Sequence, residues 1–307
     1  MKISPASRTA KIISNLQVQG AASIACAALR ALSDTIHSSK AADPNHLLNE
    51  CFAARKILES ARETEPFLTN SLEYALEGSY PPVNIKALRN SLLSRIAFIL
   101  ESYKRDHKYI ADIVSRKVPR NGIIFTHCHS STVVAGLVKA WRNGIRFTVH
   151  NTEARPLYQG RKTATDLSNA GIPVIHWVDS AVMDAMHHAD LALFGCDAIY
   201  TNGVANKVGT RLFCHAGRRT GTPSYICTHS LKFDTRSLQG RTPIEEREPD
   251  EIWAKAPNGV RVMNPAFDIL EPEYIDGIIS EQGVLSHSAM IDQIRRAHPW
   301  LFKQRRR

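Results

Sequence analysis

No G-x-G-x-x-G fingerprint and no Walker loop occurs in this chain, so nothing in it argues for a bound dinucleotide or nucleoside triphosphate. There is no C-x-x-C pair either. The six cysteines stand apart at 26, 51, 128, 196, 214 and 227, which removes zinc-site spacing, and no metal or other cofactor is expected. Long hydrophobic runs are missing as well: the longest, Ala21 to Leu29, is far too short to span a bilayer. No secretory signal opens the chain, so a soluble protein in the reduced cytoplasm is expected, away from any membrane. The first residues, with Lys2, Arg8, Lys11, several serines and no acid before Asp34, imitate a mitochondrial transit peptide. Their apolar spacing runs on through Leu29 and Leu32, which predicts a folded helix instead. Basic residues interleaved with aromatics are absent, so nucleic acid is not the expected partner. No internal repeat or low-complexity tract is present.

What remains is an ordinary globular composition with a charge bias. Over 307 residues, 43% are apolar and 22% charged, with 39 basic against 29 acidic side chains and a net charge of +10. Such a surplus suits an anionic partner, with a phosphorylated metabolite favoured over nucleic acid. Part of it lies in Lys303–Arg307, read as a solvated end.

Residues 1–118 read as helix after helix, near 7–34, 44–62, 66–78 and 85–115, with Asp43-Pro44 and Pro81-Pro82 as breakers. From 119 the pattern changes. Short apolar runs at 123–126, 146–150, 173–178, 191–194 and 224–228 alternate with helical stretches near 131–142, 157–170, 180–188 and 205–220. That alternation predicts an α/β protein: a helical domain over 1–118, then a Rossmann-like, doubly wound parallel sheet over 119–307. The charged, proline-flanked stretch Thr242–Pro249 reads as a surface arm, Asn264–Asp268 as a turn, and Glu271–Ile275 as a helix start.

Chemistry-bearing residues gather at predicted strand ends. Phe125-Thr126-His127-Cys128-His129-Ser130-Ser131 puts a thiol between the carboxyl end of a strand and the amino end of a helix, where ligands bind in open α/β sheets. The helix start favours an anion there, whether a phosphate or the thiolate. The plainer alternative is one more buried small hydrophobe. Arg155, after the next strand, suits a bidentate phosphate clamp; its alternative is a surface pair with Glu153. Asp197 has apolar neighbours that would raise its pKa toward use as a general acid; the alternative is a turn aspartate capping a helix. Asn206-Lys207 before Gly209-Thr210 reads as a polar helix opening suited to phosphate, and Lys232 follows the last core strand. Either lysine is otherwise a solvated side chain. His187-His188 reads as surface, lacking partners at metal spacing. Together these residues suggest proton transfer on a phosphorylated small molecule.

At these positions the chain resembles a known superfamily, along nearly its whole length. The superfamily contains ribose-1,5-bisphosphate isomerases, S-methyl-5-thioribose-1-phosphate isomerases and regulatory subunits of the initiation factor 2B nucleotide exchange factor. The shared residues are Gly20-Ala21, Thr126-His127-Cys128, Arg155-Pro156 with Gln159-Gly160, Gly195-Cys196-Asp197, Asn206 to Thr210, and Asn264-Pro265 through Ile275. The resemblance implies a catalytic pair of Cys128 and Asp197. It also implies a substrate lined by Gly20, Ala21, Ser130, Arg155, Asn206, Lys207 and Lys232. The regulatory subunits lack the cysteine, and the continuation His129-Ser130-Ser131 is similar to the bisphosphate branch, so a phosphorylated pentose is the implied substrate, in AMP or nucleoside salvage. The methylthioribose isomerase and the non-catalytic regulatory subunit stand as alternatives. No cofactor is implied, and a homo-oligomer, dimer or hexamer, is. The chain departs from the pattern at Gln19, where the family has arginine, and in a loop one residue shorter before Asn206.

Overall fold

The computed structural model describes residues 3–77 and 84–303; Pro81-Pro82 and the tail beyond Lys303 lie outside the described residues. Packing divides the chain into two compact units, Met1–Arg105 and Asp106–Arg307.

The first unit is helical: α1 (Pro5–Ser14), α2 (Ala21–Ser38), α3 (Pro44–Glu59), α4 (Pro66–Leu76) and the greater part of α5 (Ile85–Lys117). Ser4 and Asp43 cap α1 and α3 by accepting the N–H groups of Ser7 and His46, each followed by proline in the first turn. Ile24, Ala28, Leu29, Leu32 and Ile36 of α2 are fully buried and form the centre of this unit. The single helix expected over 7–34 is two helices. Leu16 (φ 56°) and Gly20 (φ 83°) turn the chain through the left-handed region, and the apolar spacing on both sides conceals the break.

The second unit contains β1 (Ile123–Thr126), α6 (Ser131–Arg142), β2 (Thr148–Thr152), α7 (Gln159–Asn169), β3 (Val174–Trp177), α8 (Val182–His187) and β4 (Leu191–Phe194). It continues through β5 (Ala198–Tyr200), β6 (Gly203–Lys207), α9 (Thr210–Thr220), β7 (Ser224–Cys227), α10 (Asp250–Trp253), β8 (Phe267–Leu270), β9 (Gly277–Ser280), β10 (Gly283–Leu285) and α11 (His287–Ala297). Seven strands form the main sheet in the order β10-β9-β7-β4-β1-β2-β3, parallel except for β10. The α/β, Rossmann-like expectation is therefore correct. Ile124, Val133, Leu137, Val149, Leu167 and Leu193 form its core, where burying each large aliphatic side chain stabilises the fold by roughly 2 kcal/mol.

The strand order places the site. The first strand, β1, pairs with β2 on one side and β4 on the other, so successive crossovers run in opposite directions from it. That reversal opens a crevice at the carboxyl ends of β1 and β4, the general ligand position in such sheets.

A second, antiparallel sheet, β5-β6-β8, was not expected. It takes up residues read as helix (205–207) and as turn (267–268), because strands this short give no readable alternation. The helix expected at 205 begins at Thr210, after the turn at Gly209 (φ 104°). The strand expected at 146–150 is shifted to 148–152, since Arg146 accepts the Asn121 amide in a loop before pairing begins. Glu271–Ile275 holds one 3-10 turn at Pro272–Tyr274, followed by β9 rather than a helix.

Gly160, at the start of α7, lies against the end of β2, where an added Cβ would stand 1.7 Å from the Thr152 carbonyl oxygen. Gly160→Ala should lower stability by about 3 kcal/mol in urea denaturation, since backbone must move to admit the methyl. An unchanged midpoint would refute this packing.

Candidate active site

The loop after β1 is shaped by hydrogen bonds to its side chains. His127 is buried, with Nδ1 2.6 Å from Thr152 Oγ1 and Nε2 3.0 Å from the Val208 carbonyl. A carbonyl only accepts, so Nε2 carries the proton, and the neutral ring accepts the Thr152 hydroxyl at Nδ1. Burial holds His127 neutral, its pKa lowered from 6.5 to about 4. The next residue, Cys128, takes φ 66°, a left-handed conformation unusual for a side chain with Cβ. Its carbonyl accepts the Thr163 hydroxyl at 2.8 Å. With that proton committed, the Thr163 oxygen accepts from Nδ1–H of His129, 3.0 Å away. Ser130 then caps α6 by accepting the Val133 amide.

Cys128 lies close to Asp197 and Lys207. Burial pushes its thiol up to about 12, and the Asp197 carboxylate pushes the same way; the His129 N–H, Lys207 and, with opposite sign, Asp179 are smaller influences. This corrects the expectation that the helix start would favour the thiolate. The histidines carry no charge, burial having lowered the pKa of both His127 and His129, and desolvation outweighs the helix terminus. The unliganded site holds a protonated thiol.

Asp197 follows β4, and its N–H donates to the Ala205 carbonyl at 2.8 Å. A strand follows it, so it caps no helix. Gly195, just before, lies where a Cβ would be 3.0 Å from Ser130 Cβ and 3.5 Å from Asn206 Oδ1, which brings the ends of β1, β4 and β6 together. Lys207 is buried at the end of β6, its pKa lowered first by desolvation and raised in part by Cys128, Asp197 and Glu251. Asn206 donates to the Thr210 hydroxyl at 2.9 Å, which in turn donates to the Lys207 carbonyl. Lys232 Nζ donates to the Cys196 carbonyl, one peptide from Asp197.

The amides that open the helix at Gly209-Thr210 are taken by a carboxylate of the chain itself. Asp268 of β8 already accepts the amides of Gly209 at 2.8 Å and Arg211 at 3.3 Å. Arg155 lies on the turn after β2 and donates to the Tyr158 hydroxyl (2.7 Å) and the Ile252 carbonyl (3.4 Å). Its expected alternative partner, Glu153, pairs with Arg161 at 3.6 Å. Arg155, Pro156, Val208, Ile252, Met263, Asn264 and Pro265 line a cleft of about 250 Å³. The presumed surface arm is tied down beside this cleft: Arg247 bridges Glu245 and Glu251, and Asn264 of the cleft donates to Glu251.

Thus Cys128, Ser130, Asp197, Asn206, Lys207 and Lys232 converge, with Arg155 on the adjoining loop. Gly20 and Ala21 belong to the N-terminal unit, at the start of α2. His187 and His188 are exposed. No group of three or more histidines, cysteines, aspartates or glutamates among the described residues has metal-binding geometry, and none of their helices is long and apolar enough to cross a membrane. Sequence reading missed Thr152, Thr163, Asp179 and Asp268. Of these only Asp179 carried a signal, a strand-end position after β3.

A family model described as the initiation factor 2 subunit family matches residues 17–287. The chain belongs to this family. Among curated relatives, it is similar to ribose 1,5-bisphosphate isomerase of Pyrococcus furiosus, 33% identical over 96% of this chain and 95% of that one. It is also similar to methylthioribose-1-phosphate isomerase of Symbiobacterium thermophilum, 32% identical over 92% and 85%. In fold it resembles a solved translation initiation factor eIF-2B of Pyrococcus horikoshii OT3, with TM-score 0.81 and 24% identity over 93% of this chain and 98% of that chain. A 5-methylthioribose 1-phosphate isomerase from the same organism gives TM-score 0.79 at 24% identity, covering 95% and 88%.

Two pH dependences follow. His127 titrates near 6.5 when unfolded and near 4 when folded, so the unfolded chain binds more protons between these values and stability falls as pH drops through that window, by up to roughly 3 kcal/mol. Urea denaturation from pH 7 to 4 should show a shallower slope for His127→Gln; equal slopes would refute the assignment. Alkylation of Cys128 by iodoacetamide at pH 8 should run more than about tenfold slower than that of free cysteine. Its rate should still rise above pH 10, and a plateau near pH 9 in peptide-resolved mass spectrometry would contradict the protonated thiol.

Proposed function

We propose that this protein is a sugar-phosphate isomerase that converts ribose 1,5-bisphosphate to ribulose 1,5-bisphosphate. The observation that carries the reading is the meeting of Cys128 and Asp197, with Lys207 beside them, at the point where the sheet reverses its winding. Similarity to relatives named ribose 1,5-bisphosphate isomerase, over nearly all of both chains, supports the substrate. The step belongs, in this reading, to AMP or nucleoside salvage, carried out by a cytoplasmic homo-oligomer, a dimer or hexamer, without a cofactor.

The chemistry needs an acid and a base at once. Protonated Asp197 donates to the ring oxygen as its bond to C1 breaks, and the Cys128 thiolate removes the C2 proton to give an enol phosphate. Cys128 returns a proton to C1 while the 2-hydroxyl proton passes to Asp197, which leaves the ketose and restores both groups. Thiolate with neutral acid, and thiol with carboxylate, share the same single proton and differ only in its place. In the unliganded site it rests on sulfur, and transfer within the pair provides the reactive form. Lys207, buried beside both, is suited to a substrate phosphate, and Ser130 and Asn206 border the same space. Lys232 and Arg155 complete the proposed substrate contacts of this unit.

Proton NMR in heavy water, with ribose 1,5-bisphosphate and methylthioribose 1-phosphate in separate tubes, tests this. Conversion of the bisphosphate with deuterium entering at C1 is expected; conversion of the thio sugar alone would select the other isomerase. No conversion by folded protein would favour a non-catalytic subunit. Cys128→Ser should lose turnover by roughly a thousandfold with its unfolding transition retained, and substantial residual activity would refute the thiol as base.

A further inference from the structure

Asp179, between β3 and α8, makes two hydrogen bonds that the reaction scheme does not use. Its Oδ1 accepts the Ala154 amide at 2.9 Å, and its Oδ2 accepts the Arg155 amide at 2.7 Å. Both amides belong to the turn after β2, where Ala154 adopts φ 58°. A left-handed residue with Cβ costs roughly 1–2 kcal/mol, so the turn needs an outside partner to hold it. A carboxylate gripping two successive amides is such a partner, and these charge-assisted bonds are stronger than neutral ones. The same Oδ1 lies 3.9 Å from His127 Nδ1, so the grip stands next to the loop bearing Cys128.

Arg155 itself is held for a ligand. Its guanidinium meets only a phenol and a carbonyl, both neutral, and it forms no ion pair among the described residues. It opens onto the cleft shared with Val208, whose carbonyl binds His127. We propose that Asp179 is a positioning residue, a carboxylate that fixes the backbone of Arg155 so that its guanidinium meets a phosphate of the substrate. The inference rests on the sugar-phosphate reading and adds to it a residue that never touches the sugar.

The test is a double-mutant cycle of wild type, Asp179→Asn, Arg155→Met and the double variant, with unfolding transitions confirming the fold. An amide side chain keeps the shape but offers one good acceptor in place of two. Asp179→Asn should raise KM for the bisphosphate about tenfold while kcat changes less than about threefold, the pattern of lost binding rather than lost chemistry. Because Asp179 acts through Arg155, the double variant should be no worse in KM than Arg155→Met alone. An unchanged KM, or effects that multiply independently, would overturn the proposal. Hydrogen exchange on wild type gives a reading that survives poor folding of the variants: slow exchange at the Ala154 and Arg155 amides is expected, and fast exchange overturns the grip. Should wild type convert no sugar phosphate, the functional reading falls, and the same four proteins titrated with inorganic pyrophosphate decide the role of Asp179. Coupled losses of affinity would then support it; independent losses, or no binding to wild type, would overturn it.

Discussion

The site depends on one desolvated imidazole. His127 joins the end of β1 to Thr152 at the end of its paired strand β2 and to Val208 just beyond β6, which belongs to the second sheet. Its ring packs on Phe213, centroids 4.8 Å apart, and Phe213 in turn packs on Phe125 of β1. A Cβ on Gly209 would come within 3.2 Å of its Nε2, so the chain passes closest to the imidazole where side chain is missing. Each hydrogen bond uses one face of a neutral ring. A charged ring would have no acceptor role left for Thr152, and a smaller residue would leave the Val208 carbonyl unmatched in the interior.

Around that anchor the electrostatics set the resting state of the chemistry. A thiol at a helix start is commonly read as activated, but a helix terminus contributes only about 0.3–1 kcal/mol at an exposed position. Here burial and the carboxylate of Asp197 outweigh it. The amine of Lys207 feels the same desolvation with the opposite sign, and burial lowers its pKa. Carboxylate, thiol and amine thus act on one another in one partly desolvated crevice, where moving a single proton changes the local charge pattern. Asp268 has a different part: it occupies the amide groups at the start of α9, just beyond the end of β6 where Lys207 stands.

Much of this was readable in the chain. Alternation of short apolar runs with helical spacing points to the parallel sheet, and strand-end position singles out Cys128, Arg155 and Asp197. The resemblance added the pairing of Cys128 with Asp197, which spacing could not supply because contact between residues so far apart depends on strand order. Three things stayed hidden for physical reasons. The break between α1 and α2 lies between two apolar stripes that continue each other, so periodicity passes over it. Strands β5, β6 and β8 are too short to show alternation, and Lys207 therefore looked like a helix opening. The direction of the Cys128 shift depends on how completely the crevice is desolvated, a property of packed volume that no local motif encodes. The arm at 242–249 misled through its composition: its charges pair with one another, with Arg247 held between Glu245 and Glu251, and so it packs instead of extending.

A sulfur that rests protonated also determines what else reacts with it. Peroxide and most electrophiles attack the thiolate, and a sulfenic acid forms in proportion to it. A thiol that burial holds in its protonated form is therefore a slower target for such reagents than a free cysteine.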